Sequence, residues 1–416
     1  MLSDDMGWSD LSCYGGETPT PHIDGLAREG VRFTEFYSSA PECSPTRTAL
    51  MTGRYPQRAG GLECAIGTGN VGRYDDAIRL REQHQLGLPP AENTLVRGLK
   101  SVGYSCVVSG KWHLGYEAAF LPLKHGFDRA FGPNAGGVDY FFHTEWDGVP
   151  RLLEEDRPVT REGYMTDLIT DYAVRAIEEA RDGALFLYVP FTAPHTPVQG
   201  PADRTPQPIL KATWDEGTPE QYAAMLRSLD DAVGRILAAL DARGWSEEAL
   251  VIFMSDNGAT PLGGSGPWRG SKSTLYEGGI HVPCVARWPG HLPAGAVSAQ
   301  VALTMDFTRS ILRVAGAEPE RELDGIDILQ RVEQGAEPES RTVFWRYRRG
   351  ETTWRAVRDG DWKMVQLQDG DQFTTEVFDL KTDPSEEHDV KEMDPGITRR
   401  LGQRLDVWQR EVKAAR

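Results

Sequence analysis

Apolar and polar positions follow two alternating patterns along most of the chain. Short β-rich runs end in polar, glycine-rich loops, and the segments between them carry apolar residues at helical spacing. The β-rich runs lie at 104–109, 184–189, 250–254 and 281–287, and the clearest helical spacing lies at 168–177 and 222–240. This alternation predicts an α/β protein whose large, mixed and mostly parallel sheet is covered by helices on both faces. Ligands of such sheets bind beyond the carboxyl ends of the strands.

The pattern changes after about residue 327. A polar connection at 330–339 is followed by short β-rich runs with Arg-Gly or Asp-Gly turns between them, which favour antiparallel hairpins. One amphipathic helix follows at 397–412. We therefore predict a large α/β domain at 1–329 and a small C-terminal domain at 340–416 that combines an antiparallel sheet with one helix.

Composition and charge narrow the classes of function. With 416 residues, of which 39% are hydrophobic and 26% charged, the chain can bury a sizeable core and is not typical of disorder. Its 45 basic and 62 acidic residues give a net charge of −17, which argues against nucleic acid or an anionic membrane as a partner. The longest nearly continuous apolar run, 184–191, is shorter than the ~18–20 residues of a membrane span. A small anionic substrate is not excluded by this charge.

The cysteines and the first residues bear on the cellular compartment. Five widely spaced cysteines without a Cys-x-x-Cys pair argue against a disulfide framework or a thiolate zinc site. No basic segment followed by an apolar one opens the chain. The sequence as it stands therefore predicts a cytoplasmic protein, and a periplasmic or secreted one if further residues precede it.

Two acidic segments are candidate metal ligands. Asp4 and Asp5 stand side by side near the start, and Asp256 and Asn257 directly follow the β-rich run at 250–254. Carboxylate and amide oxygens at strand ends can bind a hard divalent cation such as Ca²⁺. Each pair taken alone is more often solvated surface or turn chemistry.

Cysteine 43 lies in the second candidate segment, Cys-Ser-Pro-Thr-Arg. Pro45 suits the first turn of a helix, so Cys43 would lie beside free N–H groups that stabilise an anion. For this motif alone a buried free cysteine at a helix start is the simpler interpretation.

Several basic residues complete the candidate chemistry. Lys111 and His113 follow the run at 104–109 and are two positions apart, so both can face one side of an extended segment. His195 and Lys272 lie in polar loops. Individually each of them is explained by turn chemistry.

Taken together these motifs resemble the type I sulfatases, the formylglycine-dependent sulfuric ester hydrolases of the alkaline phosphatase superfamily. The first signature of that family is matched at 43–54 and the second at 103–115, and the similarity covers essentially the whole chain. The resemblance implies an alkaline phosphatase-like fold, with 1–329 as the catalytic domain. It also implies hydrolysis of a sulfate monoester, on a sulfated carbohydrate or an aryl sulfate, to an alcohol and inorganic sulfate.

The resemblance further implies a role for each matched residue. One Ca²⁺ ion would be bound by Asp4, Asp5, Asp256, Asn257 and the modified Cys43. A maturation enzyme would convert Cys43 to formylglycine, whose gem-diol is the nucleophile, and Arg47 would hold that group. Sulfate binding and proton transfer would fall to Lys111, His113, His195 and Lys272, of which Lys111, His195 and Lys272 would contact the substrate.

The substrate and two alternative functions stay open at this stage. A phosphodiester or phosphonate monoester hydrolase could use the same nucleophile, and a Ca²⁺-binding or carbohydrate-binding protein without activity would result if Cys43 were never converted. The loops at 55–90, 132–164 and 260–268 are expected to surround the pocket, where His143, Trp146 and Trp268 could contact a sugar or aryl group. The remaining histidines singled out are interpreted as structural: His22, His125 and His281.

Overall fold

The strands and helices are those of a computed structural model that describes residues 1–59, 63–67, 77–93, 95–181 and 183–414. The strands are β1 (Leu2–Ser3), β2 (Val31–Phe33), β3 (Phe36–Tyr37), β4 (Ser105–Ser109), β5 (Arg129–Pro133), β6 (Leu152–Glu154), β7 (Arg157–Pro158), β8 (Leu185–Tyr188), β9 (Val251–Ser255), β10 (Cys284–Arg287), β11 (Ala296–Ser298), β12 (Ala302–Leu303), β13 (Thr342–Arg349), β14 (Thr352–Asp359), β15 (Trp362–Asp369) and β16 (Gln372–Asp379). The helices are α1 (Pro21–Glu29), α2 (Cys43–Thr52), α3 (Ala77–Glu82), α4 (Leu95–Ser101), α5 (Met165–Glu178), α6 (Pro219–Ala242), α7 (Glu277–Ile280), α8 (Asp306–Ala315), α9 (Ile328–Glu333) and α10 (Pro395–Ala414).

One mixed sheet runs through the first three quarters of the chain. Its two halves have the strand orders β7-β6-β5-β4-β8 and β1-β9-β10-β2-β11. They join where Leu2 donates its N–H to the Val189 carbonyl oxygen at 2.9 Å and accepts from the Phe191 N–H at 2.8 Å. Strands β5, β4 and β8 are parallel, as are β1 and β9, while β10 runs antiparallel to both of its neighbours. The predicted fold class is confirmed.

Side chains on successive strand residues pack into two separate apolar clusters. In β9, Phe253 packs with α1, α5 and α6, whereas Met254 packs with α2, α4 and α8. In β4, Val107 and Val108 divide between the same two clusters. Because neighbouring strand residues point to opposite faces of a sheet, the two clusters are its two covered faces.

The C-terminal meander is the one that the hairpin signals predict. Strands β13 to β16 pair antiparallel in sequence order, and α10 packs on β14 and β15. Its core is continuous with the large sheet's core, and the Trp345 indole N–H donates to the Ser38 carbonyl oxygen at 2.9 Å. The division into domains at 1–329 and 340–416 stays a prediction.

The polar connection expected at 330–339 begins within α9, and its role as an inter-domain connection stays a prediction. This helix begins where the Asp327 carboxylate accepts the Gln330 backbone N–H at 3.0 Å, and it buries Ile328 and Leu329 against the core. The cap and two apolar side chains outweigh the polar composition of the segment. None of the helices in the described ranges has the length and apolar character needed to cross a membrane.

Candidate active site

The candidate site lies at the carboxyl ends of the central parallel strands. Asp4 and Asp5 follow β1, and Asp256 and Asn257 follow β9. These strands pair in parallel, with Ser3 opposite Ser255, so both polar pairs leave the sheet at the same edge. Sequence reasoning expected this edge, and the structure brings the four residues together there.

Three carboxylates and one amide are packed together with no exposure to solvent. Asp4, Asp5, Asp256 and Asn257 are each 0% exposed. The Asp5 backbone N–H donates to Asp256 Oδ1 at 3.2 Å, and Asn257 Nδ2 donates to Asp5 Oδ1 at 2.8 Å. Within the described part of the chain, Asn257 Oδ1 is buried without a hydrogen-bond partner. Burial and the neighbouring Asp4 raise the pKa of Asp256 to about 6.

Helix α2 begins at Cys43 and delivers its side chain to these carboxylates. Every residue of this helix is buried, and the Cys43 thiol donates to Asp4 Oδ1 at 3.3 Å. Burial and the Asp4 carboxylate raise the pKa of the thiol well above its usual value. The thiol therefore stays protonated at this helix start, because desolvation and the adjacent carboxylate outweigh the helix dipole.

Three cations surround the carboxylates: Arg47 and Lys111 are fully buried, and Lys272 is partly exposed. Arg47 donates through Nε and Nη2 to Asp256 Oδ2, at 3.1 and 2.8 Å, and through Nη1 to the carbonyl oxygen of Lys111 at 2.7 Å. The ammonium group of Lys111 donates to Asp4 Oδ2 at 2.5 Å, and that of Lys272 donates to Asp5 Oδ2 at 2.7 Å. The charges nearly balance locally, although the whole chain is strongly acidic.

The two candidate histidines have different free nitrogens. His113 Nε2 lies 2.5 Å from the carbonyl oxygen of Ile66, which can only accept, so Nε2 carries the proton. His113 Nδ1 is buried and has no partner among the described residues. His195 Nδ1 lies 2.6 Å from the Thr196 carbonyl oxygen, and its Nε2 lies 3.5 Å from Asp5 Oδ2. Nδ1 of His113 and Nε2 of His195 are thus the nitrogens left for chemistry.

Burial keeps both rings neutral in this arrangement. For His113, burial and the Lys111 ammonium group hold the pKa well below its usual value. For His195, burial lowers the pKa to about 3, although Asp5 acts in the opposite direction. A neutral imidazole can accept a proton, which suits a general base.

The three residues expected to contact the substrate each make contacts within the protein. His143 is buried, with Nε2 3.1 Å from the Gly163 carbonyl oxygen. Trp146 stacks under the ammonium group of Lys211, and the Trp268 ring packs on Trp8 and His281. Substrate contact by His143, Trp146 and Trp268 stays a prediction. The expected pocket loop at 55–90 is described except at 60–62 and 68–76, which lie outside the described residues.

The histidines interpreted as structural have these contacts. His281 is buried, with Nδ1 2.9 Å from Glu277 Oε2 and Nε2 2.9 Å from the Thr34 carbonyl oxygen. His125 is buried edge-to-face against Trp112. The exposed His22 donates its backbone N–H to Asp230 at the start of α1. Each contact is of the kind that supports the fold.

Glu42 is a site residue that the sequence reasoning missed. Its buried carboxylate accepts the Ala65 N–H at 2.6 Å, the Ser273 hydroxyl at 2.7 Å and the Tyr347 hydroxyl at 2.9 Å. It thereby joins the start of α2, the loop of Lys272 and strand β13. Its position directly before Cys43 was the only signal in the sequence.

Similar proteins define the class. The fold is that of the alkaline phosphatase superfamily. The sequence model of the Sulfatase family matches residues 1–317, and the model of the N-sulphoglucosamine sulphohydrolase C-terminal region matches residues 268–411. The chain therefore belongs to the sulfatase family, and it is a sulfuric ester hydrolase.

Individual relatives agree with this membership. N-acetylgalactosamine-6-sulfatase of Rattus norvegicus is 37% identical over 386 residues, covering 87% of this chain and 70% of the relative. Steryl-sulfatase of Mus musculus is 32% identical over 432 residues, covering 83% and 66%. The crystal structure of Ps i-CgsB in complex with k-i-k-neocarrahexaose superposes with a TM-score of 0.84 at 27% identity, covering 98% of this chain and 91% of that one.

Proposed function

We propose that this sulfatase removes sulfate from a sulfated carbohydrate, using one Ca²⁺ ion and a formylglycine formed from Cys43. The observation that carries the proposal is the cluster of three fully buried carboxylates and an amide oxygen that has no hydrogen-bond partner among the described residues, beside the Cys43 thiol that donates to Asp4. When present, the hydrated aldehyde would supply the nucleophile, and the cation would neutralise charge on the sulfate group.

The residues present fit a hard divalent cation. Asp4, Asp5, Asp256 and the orphaned Asn257 Oδ1 form an all-oxygen donor set, which Ca²⁺ prefers. One ligand atom from each of Asp4, Asp5 and Cys43 also lies within 4.8 Å of the others. Burial, together with repulsion by the neighbouring Asp4 carboxylate, raises the pKa of Asp256. A cation would remove that repulsion.

Position 43 also fits a modified residue better than a reactive thiol. The raised pKa of the Cys43 thiol leaves it protonated and weakly nucleophilic. Its place in the Cys-Ser-Pro-Thr-Arg segment supports conversion by a maturation enzyme. Arg47 holds Asp256 and the Lys111 backbone, so its role is to fix the donors around this position.

Lys111 and Lys272 are suited to bind the sulfate oxygens. Their ammonium groups lie against Asp4 and Asp5, at the edge of the donor set. Once a cation balances those carboxylates, both ammonium groups are available to stabilise negative charge on a substrate. These fixed cations would outweigh the repulsion expected from a net charge of −17, although we expect small or sparsely sulfated substrates to react faster than dense polyanions.

The two histidines divide the proton transfers. His195 Nε2 faces Asp5 and carries no proton in the neutral ring; it would take up the proton of the attacking hydroxyl group and pass it to the departing alcohol oxygen. His113 Nδ1 has its lone pair free and would accept a proton as sulfate is released. A carbohydrate alcohol is a poor leaving group, so the first of these transfers matters most for such a substrate.

The test compares substrates on one matured preparation. Co-expression with a formylglycine-generating enzyme, followed by mass spectrometry of the peptide that contains residue 43, establishes conversion. We then expect turnover of 4-nitrophenyl sulfate and of a 6-sulfated galactosamine or carrageenan oligosaccharide. Turnover of an aryl phosphodiester and an aryl phosphonate should be slower. Cys43→Ala is the control and should be folded but inactive. Faster phosphodiester turnover, or an active Cys43→Ala variant, would contradict the proposal.

A further inference from the structure

Two consecutive glycines in the loop between β5 and β6 touch both candidate histidines. A methyl group placed on Gly136 would lie 2.7 Å from His113 Cε1 and 2.9 Å from His113 Nε2. A methyl group placed on Gly137 would lie 2.8 Å from His195 Cε1 and 2.8 Å from the carbonyl oxygen of Thr196. All four distances are shorter than any normal carbon contact, so only glycine fits at either position without displacing its neighbours.

The His113 ring has no room to retreat from such a methyl group. Its side chain is buried, and its Nε2 is held by the Ile66 carbonyl oxygen on the same edge that Gly136 touches. The Ile66 N–H in turn donates to the Ser44 hydroxyl, which donates to the carbonyl oxygen of His113 at 2.8 Å. This closed circuit of hydrogen bonds fixes the ring from the side of α2.

The loop between β5 and β6, which contains Gly136 and Gly137, is hydrogen-bonded to the segments that carry His113 and His195. The Trp112 N–H, next to His113, donates to the Pro133 carbonyl oxygen at 2.9 Å. The Tyr140 hydroxyl donates to the carbonyl oxygens of Thr192 and His195, at 2.7 and 3.0 Å. The loop backbone is therefore a fixed wall, and the rings rest against it.

We propose that Gly136 and Gly137 are positioning residues, each for one of the two proton transfers. Gly136 would set the plane of His113 and so act on sulfate release, while Gly137 would set the plane of His195 and so act on departure of the alcohol. The inference rests on the roles proposed above for the two histidines. The glycines themselves make no contact with a reacting atom.

The two transfers differ in what they require of the substrate. As a hydroxyl oxygen forms its bond to sulfur, His195 Nε2 would take up that hydroxyl's proton; when the bond between sulfur and the alcohol oxygen breaks, the alcohol oxygen keeps the electron pair and takes this proton from Nε2. When sulfate leaves, His113 Nδ1 takes up a proton and later returns it to water. Overall the sulfate ester and one water molecule give the alcohol, the sulfate dianion and one proton. Only the first transfer depends on how good the leaving group is.

Alanine substitutions at the two positions should therefore have different signatures. Misplacement of a catalytic group by about 1 Å costs about 10²-fold in rate. Gly137→Ala should lower kcat about 10²-fold on an unactivated saccharide sulfate and only a few-fold on 4-nitrophenyl sulfate. Gly136→Ala should lower kcat on both substrates by a similar factor, with a burst of nitrophenol equal to the enzyme concentration, since release would become rate-limiting. Gly137→Ala should leave KM within a few-fold, whereas in Gly136→Ala KM should fall together with kcat, because a slow release step after ester cleavage lowers both.

Controls separate this positioning from a loss of folding or maturation. Gly402→Ala is the matched control, because a methyl group there would have no atom within 4 Å, and it should leave kcat unchanged. Formylglycine content and the thermal midpoint are measured for every variant. In a His195→Ala background, Gly137→Ala should have no further effect on kcat, since it acts only through that ring.

The outcomes are distinct from those that test the proposed function. An inactive parent enzyme would contradict the proposed function, whereas an active parent with equal losses on both substrates in Gly137→Ala would overturn this inference alone. A Gly137→Ala effect that is additive with His195→Ala would also overturn it. If Gly136→Ala does not fold, the Gly137 series by itself still decides the question.

Discussion

Lys363 should be the most sensitive single charge in the interior outside the active site. Its side chain is 0% exposed and lies 2.7 Å from Glu277 Oε1 and 2.8 Å from Glu386 Oε1. It joins strand β15 of the C-terminal sheet to α7, which follows the loop of Lys272. We predict that Lys363→Met destabilises the protein strongly, because it leaves two buried carboxylates without their cation.

The size of the effect follows from the two carboxylates. Removing one partner of a buried ion pair costs about 3–5 kcal/mol. Burial already raises the pKa of Glu386 to about 7, even though Lys363 opposes this shift. In the variant Glu386 can take up a proton at pH 6, but at pH 8.5 its charge would have to be buried unpaired. We therefore expect the free energy of unfolding of Lys363→Met to be lower than that of the wild type by about 3 kcal/mol at pH 6, where only Glu277 is left charged without its lysine. The difference should grow toward about 5 kcal/mol at pH 8.5, where Glu386 is charged as well.

The assay is urea unfolding at both pH values, followed by tryptophan fluorescence and circular dichroism. Lys391→Met is the control, because Lys391 is partly exposed and pairs with Asp389 at the surface. Such a pair contributes about 0–1 kcal/mol. Adding Glu386→Gln to Lys363→Met should recover stability at pH 8.5 but not at pH 6. A loss below about 1 kcal/mol, or equal losses for the two lysines, would refute the reasoning.

Three further outcomes are expected. Arg47→Lys loses at least one of the hydrogen bonds to Asp256, and each bond to a charged group contributes about 1.5–3 kcal/mol. The value of kcat/KM on 4-nitrophenyl sulfate should therefore fall at least 10-fold. An unchanged value would contradict the role given to this guanidinium. Dialysis against a chelator should abolish activity and lower the thermal midpoint, and Ca²⁺ should restore both, except in Asp256→Asn. Burial raises the pKa of Asp10 from 3.8 to about 6, so its folded form binds a proton more tightly than its unfolded form. The proton bound at Asp10 stabilises the folded protein fully below pH 3.8, and this stabilisation is lost by about pH 6. The difference in thermal midpoint between the wild type and Asp10→Asn should therefore fall between these pH values. A difference that stays constant would contradict this prediction.

The sequence predicted those parts of the site that depend on where strands end. Asp4 and Asp256 meet because β1 and β9 are parallel neighbours, and the β–α alternation was enough to expect such an edge. The motifs around Cys43 and Lys111 identified the family before any distance was known. Local patterns of this kind are visible in a single segment.

What the sequence could not predict depends on contacts between distant segments. The raised pKa of the Cys43 thiol results from its burial and from Asp4, thirty-nine positions away in the chain, and no local pattern around Cys43 indicates that contact. The partner of His113 is a backbone carbonyl oxygen, at Ile66, which no side-chain pattern could indicate. Gly136 and Gly137 resembled any loop glycines until their distances to the two histidine rings were known.

The hydrogen bonds of Glu42 have a consequence for protein engineering. Because the Glu42 carboxylate accepts hydrogen bonds from Ser273 and from Tyr347 of β13, the C-terminal sheet helps to hold the start of α2, where Cys43 lies. A fragment that ends near residue 329 would leave this carboxylate without the Tyr347 hydroxyl. Chimaeras that exchange the C-terminal sheet between relatives would have to carry a matching hydroxyl at that position. In recombination experiments, the large α/β region and the C-terminal sheet should therefore be exchanged together.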